Sequence, residues 1–373
     1  MSDDVGDLGD LGDLEPVELP DQEAARKSGI LLSVRDLATV FNTEIGVVHA
    51  VDGVSFDVRS GEVFAIVGES GSGKTVSALS ILGLIPEPAG EITSGEILYR
   101  GDDLVRMDDD KRRHIRGDRI AMIFQDPLTS LNPVHRVGEQ ITEVIRAHRN
   151  LTHAQATARM IELLDLVGIP NAKERWRHYP HEFSGGMRQR VMIAMGMALD
   201  PDLLIADEPT TALDVTVQAQ ILEVLLDVRD RFDTAIMLIT HDLGVVAEVA
   251  DRMMVMYAGK KVEEGEVHTV FGAPKHPYTW GLLASTTRID RPREDRAHQI
   301  PGAPPSLIAL PPACRFAPRC PYAQPVCRSV YPDIRWVGAG QLAACHFADV
   351  EGWDVDSAPR ISAERGAEMA DAF

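Results

Sequence analysis

Short apolar runs separated by turn residues dominate the first half of the chain. Alternating runs rich in β-branched residues predict three strands, over residues 31–40, 47–51 and 54–58. Continuous apolar runs predict four more strands that are buried on both faces, over residues 63–67, 119–124, 203–207 and 236–239. Strands of this kind, alternating with helical segments, are typical of an α/β fold with an open sheet.

Helical periodicity appears between several of these strands. It predicts helices over residues 76–84, 191–199 and 217–228, and a helical block from Val137 to about Gly168. Within that block, Thr152 has the chemistry of an N-cap and Gly168 that of a stop signal. Its apolar residues fall on one stripe, formed by Met160, Ile161, Leu164 and Val167. We therefore expect a helical subdomain, at about residues 127–200, inserted into the α/β part.

Composition sets outer limits on the class of protein. The chain has 373 residues, 45% of them hydrophobic and 25% charged, which is typical of a soluble globular protein larger than one ordinary domain. The net charge is -20, but the first 25 residues carry nine carboxylates and no Lys or Arg, which leaves -11 for the rest. This balance gives no indication of a nucleic-acid-binding surface.

The N-terminus and the apolar runs predict where the protein works. Residues 1–28 are acidic and poor in aromatics, which predicts a disordered arm without a signal peptide. No run of 18 or more apolar residues exists in the chain. We expect a cytoplasmic protein that is held at a membrane, if at all, by another protein.

The strongest chemical signal follows the predicted strand at 63–67. The pattern G-x-x-x-x-G-K-[ST] is matched by eight consecutive residues, Gly68, Glu69, Ser70, Gly71, Ser72, Gly73, Lys74 and Thr75. Glycines in such a loop let backbone N–H groups face a polyphosphate, the lysine adds a point charge, and the threonine hydroxyl can bind Mg²⁺. The sequence therefore predicts a nucleotide site here.

Polar residues at the ends of other predicted strands point to the same site. Gln125 follows the strand at 119–124, Asp207 and Glu208 end the next, and His241 follows the strand at 236–239. In an open α/β sheet these carboxyl ends lie where ligands bind. Asp207 can hold Mg²⁺, Glu208 can orient or deprotonate water, and His241 can contact a terminal phosphate. Phe41 is a candidate for stacking on adenine, although an ordinary core aromatic explains it equally well.

A second glycine motif precedes the helix predicted at 191–199. Ser184 has the chemistry of an N-cap, and Gly185 and Gly186 would expose the free N–H groups of the first turn to an anion. A further motif, Thr211-Ala-Leu-Asp214, comes soon after Glu208.

Taken in order, these motifs give residues 31–272 a resemblance to the ATP-binding subunit of an ABC transporter. The landmarks are the phosphate loop, the Q-loop glutamine Gln125, the signature Ser184-Gly185-Gly186, the Asp207 and Glu208 pair, the D-loop ending at Asp214, and the switch histidine His241. The signature departs from the commoner Leu-Ser-Gly-Gly-Gln, having Phe183 and Met187 at its ends, a variant that resembles the peptide-importer branch.

The resemblance implies a mechanism and a set of partners. Each ATP would lie between the phosphate loop of one subunit and the signature helix of another, with Thr75, Gln125 and Asp207 on Mg²⁺ and with Glu208, His241 and Gln125 acting in hydrolysis. The implied partners are a second ATPase subunit, preferably a paralogue, two membrane permeases and an extracytoplasmic binding protein. The implied cargo is a dipeptide or oligopeptide; nickel or another solute is the alternative, and a soluble role is less favoured because tandem cassettes, long coiled coils and basic patches are missing.

The last quarter of the chain has a different composition, rich in Pro and containing all four cysteines. Cys314, Cys320, Cys327 and Cys345 are separated by 5, 6 and 17 residues. Disulfides are disfavoured in a reducing compartment, so a thiolate metal site is expected. The spacings exceed those of common zinc motifs and favour an iron–sulfur cluster, with zinc or free thiols as alternatives. The segment also resembles the C-terminal extension of peptide-importer ATPases, whose four-cysteine members can hold a 4Fe-4S cluster.

The predicted organisation has four parts. They are an acidic arm at 1–28, an ABC-type P-loop nucleotide-binding domain at 29–285, a small irregular C-terminal extension with the cysteines at 286–350, and a tail at 351–373.

Overall fold

The computed structural model describes residues 29–211, 213–285, 300–338 and 340–348. The arm predicted at 1–28 and the tail predicted at 351–373 lie outside this range, as do residues 286–299 of the predicted extension. The strands are β1 (Ile30–Thr43), β2 (Gly46–Arg59), β3 (Val63–Val67), β4 (Gly90–Tyr99), β5 (Asp102–Asp103), β6 (Ile120–Ile123), β7 (Leu203–Asp207), β8 (Ala235–Thr240), β9 (Arg252–Tyr257), β10 (Lys260–Glu266), β11 (Arg335–Trp336) and β12 (Leu342–Ala343).

Helices fill the connections between these strands. They are α1 (Lys74–Leu82), α2 (Asp109–Ile115), α3 (Pro127–Ser130), α4 (Val137–His148), α5 (His153–Leu166), α6 (Ala172–Arg175), α7 (Gly185–Gly196), α8 (Val215–Phe232), α9 (Leu243–Val249), α10 (Val267–Gly272) and α11 (Pro277–Ser285), with 3-10 turns at Pro180–Glu182 and Pro325–Arg328. The α/β fold class expected from the sequence is confirmed.

The first strands form an antiparallel sheet in the order β2-β1-β4-β5. The two separate strands predicted at 47–51 and 54–58 are one strand, so that part of the prediction is wrong. Gly53 has a φ of +64° and interrupts the alternation without ending the strand, because the pairing with β1 continues on both sides through register shifts. The apolar face of this antiparallel sheet packs on the central sheet, where the Phe56 ring of β2 stacks on the Phe64 ring of β3 with centroids 5.5 Å apart.

The central sheet has the order β11-β12-β10-β9-β3-β8-β7-β6. Strands β9, β3, β8, β7 and β6 pair in parallel, and β10 and β12 extend the sheet in antiparallel fashion. All residues of β3, β7 and β8 are buried, as expected for parallel strands covered on both faces. The carboxyl ends of β3, β6, β7 and β8 therefore meet at one edge.

Helices α3 to α7 form the insertion between β6 and β7. Thr152 caps α5 and exchanges hydrogen bonds with Gln155 in a capping box, and Gly168, at a φ of +72°, follows its end. The helical block predicted from Val137 to Gly168 is two helices, because extended backbone at Arg149 ends α4. Met160, Leu164 and Val167 are fully buried in the core of this lobe.

The C-terminal segment packs against the β9–β10 edge of the central sheet. Strand β12 pairs with β10 through Glu263 and Glu264, and Phe316 and Cys320 belong to the same core cluster as Tyr257 and Tyr278. Its backbone is mostly irregular, and the described part runs from residue 300 to 348. This packing places the cysteine segment next to the predicted nucleotide-binding domain. The exact domain boundaries stay a prediction.

Candidate ATP site and cysteine cavity

The phosphate loop connects β3 to α1 and needs its glycines. Gly68 has a φ of +154°, and an added Cβ there would lie 2.2 Å from the carbonyl oxygen of Met256. Gly73, at +103°, begins α1, and a Cβ there would lie 2.3 Å from the carbonyl oxygen of Ala50. No other residue fits these positions without moving backbone. The loop therefore leads into a helix N-terminus, where free N–H groups favour an anion.

Lys74 points back into the loop. Its Nζ donates to the carbonyl oxygens of Gly68, at 2.7 Å, and Glu69, at 3.1 Å. The pKa of Lys74 is lowered because burial disfavours its charge, while the carboxylates of Glu208, Asp207 and Glu69 act in the opposite direction. The Lys74 ammonium group is thus a buried cation held against the phosphate loop, where it can pair with a polyphosphate.

Asp207 and Thr75 form a pair that fits a magnesium ion. Burial raises the pKa of Asp207, and repulsion from Glu208 adds to this, whereas a hydrogen bond from Thr75 opposes it. Among the described residues, the other carboxylate oxygen, Oδ1, is buried without a hydrogen-bond partner. An unpartnered buried carboxylate oxygen next to a hydroxyl is the oxygen-rich environment that Mg²⁺ prefers. A hydrated magnesium ion would satisfy it.

Glu208 is the point where three loops converge. Its carboxylate accepts hydrogen bonds from Gln125 Nε2 at 3.0 Å and Thr211 Oγ1 at 2.9 Å, and His241 Nδ1 lies 3.2 Å from its other oxygen. The residue has a φ of +47°, and its N–H donates to the carbonyl of Ile239. A non-glycine residue in this conformation is held there by its surroundings. The predicted strand-end residues are therefore brought together.

The signature residues begin α7 and contact the start of α8. Ser184 caps α7, its Oγ accepting from Met187 N at 3.4 Å, as predicted. An added Cβ at Gly186 would lie 2.4 Å from Val217 Cγ1, so this glycine permits close packing on α8. In the described part of the chain, no hydrogen bond or ion pair joins Ser184, Gly185 or Gly186 to the phosphate loop. Asp214 caps α8, 3.0 Å from Val217 N.

Phe41 lies on β1, paired with Gly90 of β4. Its ring edge would be 2.8 Å from a Cβ added at Gly90, so the half-buried ring covers that glycine. Stacking of this ring on adenine stays a prediction.

The four cysteines line one cavity. Cys314, Cys320, Cys327 and Cys345 are free and line it together with His276, His346 and Phe316. Burial and the neighbouring thiols raise the pKa of Cys320, and burial raises that of Cys345 to about 11. Within the described residues, no three His, Cys, Asp or Glu side chains are arranged to hold one metal ion.

Two residues of the site were missed by sequence reasoning. The phenol oxygen of Tyr278 accepts from the N–H of Glu69 at 2.8 Å, and Arg319 donates to both carboxylate oxygens of Glu69 at 2.6 and 2.9 Å. Both side chains come from beyond residue 272. Tyr278 was visible only as part of the His276-Pro-Tyr-Thr motif, and nothing in the spacing of Arg319 indicates a contact with residue 69.

Comparisons with known proteins agree with this geometry. The ABC transporter family model matches residues 51–211, and the model for the oligopeptide/dipeptide transporter C-terminal region matches residues 262–327. Among the described residues, no helix is long and apolar enough to cross a membrane.

Curated relatives match over most of their length. A probable peptide ABC transporter ATP-binding protein of Sinorhizobium fredii is 51% identical over 86% of this chain and 95% of its own length. The oligopeptide transport ATP-binding protein OppD of Bacillus subtilis is 55% identical over 79% of this chain and 83% of its own length. The dipeptide transport ATP-binding protein DppD of Escherichia coli is 48% identical over 85% of this chain and 96% of its own length. Among solved structures, the dimeric ATP-binding cassette MJ0796 bound to ADP and Pi is 25% identical, with a TM-score of 0.57 over 63% of this chain and 98% of that chain.

Proposed function

The chain belongs to the ABC transporter family of ATP-binding proteins, and we propose that it is the ATPase subunit of an importer for dipeptides or oligopeptides. The observation that carries this proposal is the 51% identity to a peptide transporter ATP-binding protein over 95% of that protein's length. The match to the oligopeptide/dipeptide transporter C-terminal region supports the same branch. As a member of this family the chain is an ABC-type ATPase.

In the proposed reaction, the phosphate loop and Lys74 hold the ATP phosphates. Thr75 and Asp207 hold Mg²⁺, with Gln125 as a further ligand when nucleotide is bound. Glu208 orients or deprotonates the attacking water, and His241 contacts the γ-phosphate. The hydrogen bonds from Gln125 and Thr211 to the Glu208 carboxylate support this assignment, because they fix the group that must meet the water.

The catalytic unit is proposed to be a dimer of two ATPase subunits. Within the described residues, no hydrogen bond or ion pair joins Ser184, Gly185, Gly186 or Asp214 to the phosphate loop of the same chain, which is compatible with a signature supplied by another subunit. We prefer a paralogous partner, with two permeases and an extracytoplasmic binding protein completing the importer. The subunit would be located at the cytoplasmic face of the membrane.

The cysteine cavity is proposed to hold a 4Fe-4S cluster, with zinc as the alternative. Four thiols that line one pocket support this proposal, because a cluster of this kind is held by four cysteine thiolates. Cys314, Cys320, Cys327 and Cys345 would be the ligands. When bound, the cluster would bridge parts of the chain that otherwise share little regular structure.

Uptake assays test the cargo and the role of Glu208 together. Cells carrying wild-type chain, Glu208→Gln or the control Glu223→Gln, an exposed residue on α8, would receive a labelled tripeptide or labelled nickel ion in parallel. We expect Glu208→Gln to abolish peptide uptake while nickel uptake and the Glu223→Gln cells remain normal. If Glu208→Gln lost nickel uptake alone, nickel would be the cargo instead of peptides. If it lost neither peptide nor nickel uptake, the importer proposal would be contradicted for both solutes.

A further inference from the structure

We propose that Arg319, in the C-terminal cysteine segment, is a positioning residue for ATP binding that holds the phosphate loop through Glu69. Arg319 lies outside the residues matched by the ABC transporter family model and directly before Cys320. Its side chain nevertheless reaches the second residue of the phosphate loop. The inference does not depend on the cargo or on what the cysteine cavity holds.

The environment of Arg319 uses every donor of its guanidinium group. Two donors form a bidentate pair with the Glu69 carboxylate, at 2.6 and 2.9 Å. The others reach the Tyr257 hydroxyl at 3.3 Å and the carbonyl oxygens of Pro301 at 2.9 Å and Ile300 at 3.3 Å. Arg319 is 7% exposed. A buried arginine with five hydrogen bonds has one defined position, and the bidentate pair fixes the Glu69 carboxylate in both distance and orientation.

Each polar group of Glu69, namely its N–H, its carbonyl and its carboxylate, has a hydrogen-bond partner. Its N–H donates to the Tyr278 hydroxyl, its carbonyl accepts from Lys74 Nζ, and its side chain is paired with Arg319. The same carbonyl also accepts from the N–H of Ser72 at 3.2 Å. A shift of Glu69 would therefore move both the lysine that meets the phosphates and the turn that carries the loop N–H groups. Preorganised loops bind with less loss of conformational entropy.

A layer of aromatic rings joins this contact to the cysteine cavity. Tyr257, Tyr278 and Phe316 pack with ring centroids 4.6 to 5.4 Å apart, and Phe316 also lines the cavity. Arg319 and Cys320 are neighbours on the short turn that begins at Cys314. Packed side chains therefore connect the phosphate loop, through the Arg319–Glu69 pair, with the cysteine cavity.

The test compares ATP affinity with turnover in full-length variants. Arg319→Met keeps the bulk of the side chain and removes its charge and donors. We expect its Kd for Mg-ATP, from equilibrium titration with a fluorescent ATP analogue, to rise about tenfold, and kcat to stay within about twofold, because the reacting groups are untouched. Arg319→Lys keeps the charge but not the fork, so an intermediate rise of about threefold is expected.

Two further variants separate a direct effect from a loosened C-terminal segment. Arg315→Met removes a buried arginine from the same turn whose partners are Asp52 and the carbonyl of Ala258. Its Kd should stay within about twofold of wild type. Glu69→Gln removes the pair from the loop side and leaves the segment intact, so it should reproduce the affinity loss of Arg319→Met.

The combination Glu69→Gln with Arg319→Met decides the outcome. If Arg319 acts through Glu69, the second substitution adds less than about twofold to the Kd of the first. Additive losses, equal losses in Arg315→Met and Arg319→Met, or a folded Arg319→Met protein with wild-type affinity would each overturn the proposal.

Discussion

The two sides of the central sheet position their functional groups in different ways. At the carboxyl ends of β3, β7 and β8, the backbone places the phosphate loop, Asp207, Glu208 and His241. On the β10 side, the described part of the cysteine segment has only two-residue strands and one 3-10 turn, and individual buried side chains anchor it. Many backbone hydrogen bonds of the parallel sheet hold the groups at the strand ends. The position of the cysteine segment depends on a few charged or polar contacts, so single substitutions should act differently in the two regions.

Arg315 and Gln341 are two such anchors, and both are buried. Arg315 donates to Asp52 and to the carbonyl of Ala258, and Gln341 donates to Glu263 at 2.6 Å. Removing one member of such a pair takes a hydrogen bond away from a buried or half-buried polar group, which costs more than the loss of one exposed contact.

The largest expected effect separates chemistry from binding at the strand ends. Glu208→Gln should lower kcat of the assembled transporter by at least about 100-fold, because the group that orients or deprotonates water is lost. The Kd for Mg-ATP should stay close to wild type, since the phosphate loop is unchanged. Single-turnover hydrolysis and equilibrium ATP titration are the measurements. Sustained turnover by this variant would remove Glu208 from the proposed role.

The next effect should be confined to the cysteine side. Cys320→Ser should abolish bound iron, measured by metal analysis and visible absorption of protein purified without oxygen. It should also increase proteolysis at the C-terminal segment, because the proposed link between its parts is lost. Arg328→Ser, in the same segment, is the control. Wild-type iron content in Cys320→Ser, or iron-free wild-type protein, would contradict the cluster.

A pH dependence should arise from Glu263, which joins β10 to the C-terminal segment. Burial raises its pKa to about 7, and hydrogen bonds from Gln341 and from the N–H groups of Lys275 and His276 oppose that rise. Because the folded protein then binds a proton more tightly than the unfolded chain, the contribution of Glu263 to stability falls as pH rises from about 4.5 to about 7.

Urea unfolding at pH 5 and pH 8 measures this contribution. Relative to Glu263→Gln, which cannot titrate, the wild-type protein should lose about 1–3 kcal/mol more of its unfolding free energy between the two pH values. Glu266→Gln, at the exposed end of the same strand, should show the wild-type pH dependence. An identical slope in wild type and Glu263→Gln would mean that Glu263 stays ionised in the folded state.

The smallest expected effect comes from removing one helix cap in the helical lobe, which should lower stability without affecting ATP binding. Thr152→Ala removes the N-cap of α5 and should cost about 1 kcal/mol of unfolding free energy, without changing the Kd for Mg-ATP. Thr157→Ala, on the exposed side of the same helix, should cost less. Thermal unfolding and ATP titration provide the comparison, and a change in ATP affinity would show that the helical lobe and the ATP site are more tightly linked than the backbone suggests.

Much of the ATP side could be predicted from sequence because its signals are local. The apolar run at 63–67 was predicted as a strand with the bounds that β3 has, and Ser184 and Thr152 are the helix caps that their chemistry indicated. Convergence of Gln125, Glu208 and His241 follows from the rule that parallel strands end at one edge. The wrong division of β2 at Gly53 has a physical reason too, since a glycine at positive φ can be absorbed by a bulge when a neighbouring strand continues to pair.

The sequence by itself determined the phosphate loop, the order of the catalytic motifs and the presence of four cysteines, because each is a pattern of neighbouring residues or of strand ends. Tertiary structure alone decided that the cysteines share one cavity and that Arg319 and Tyr278 hold Glu69. Residues 69 and 319 are 250 positions apart, and Arg319 lies in a mostly irregular segment that shows no helix or strand periodicity. Such a contact depends on how the C-terminal segment packs against the sheet edge, and no local preference encodes that packing.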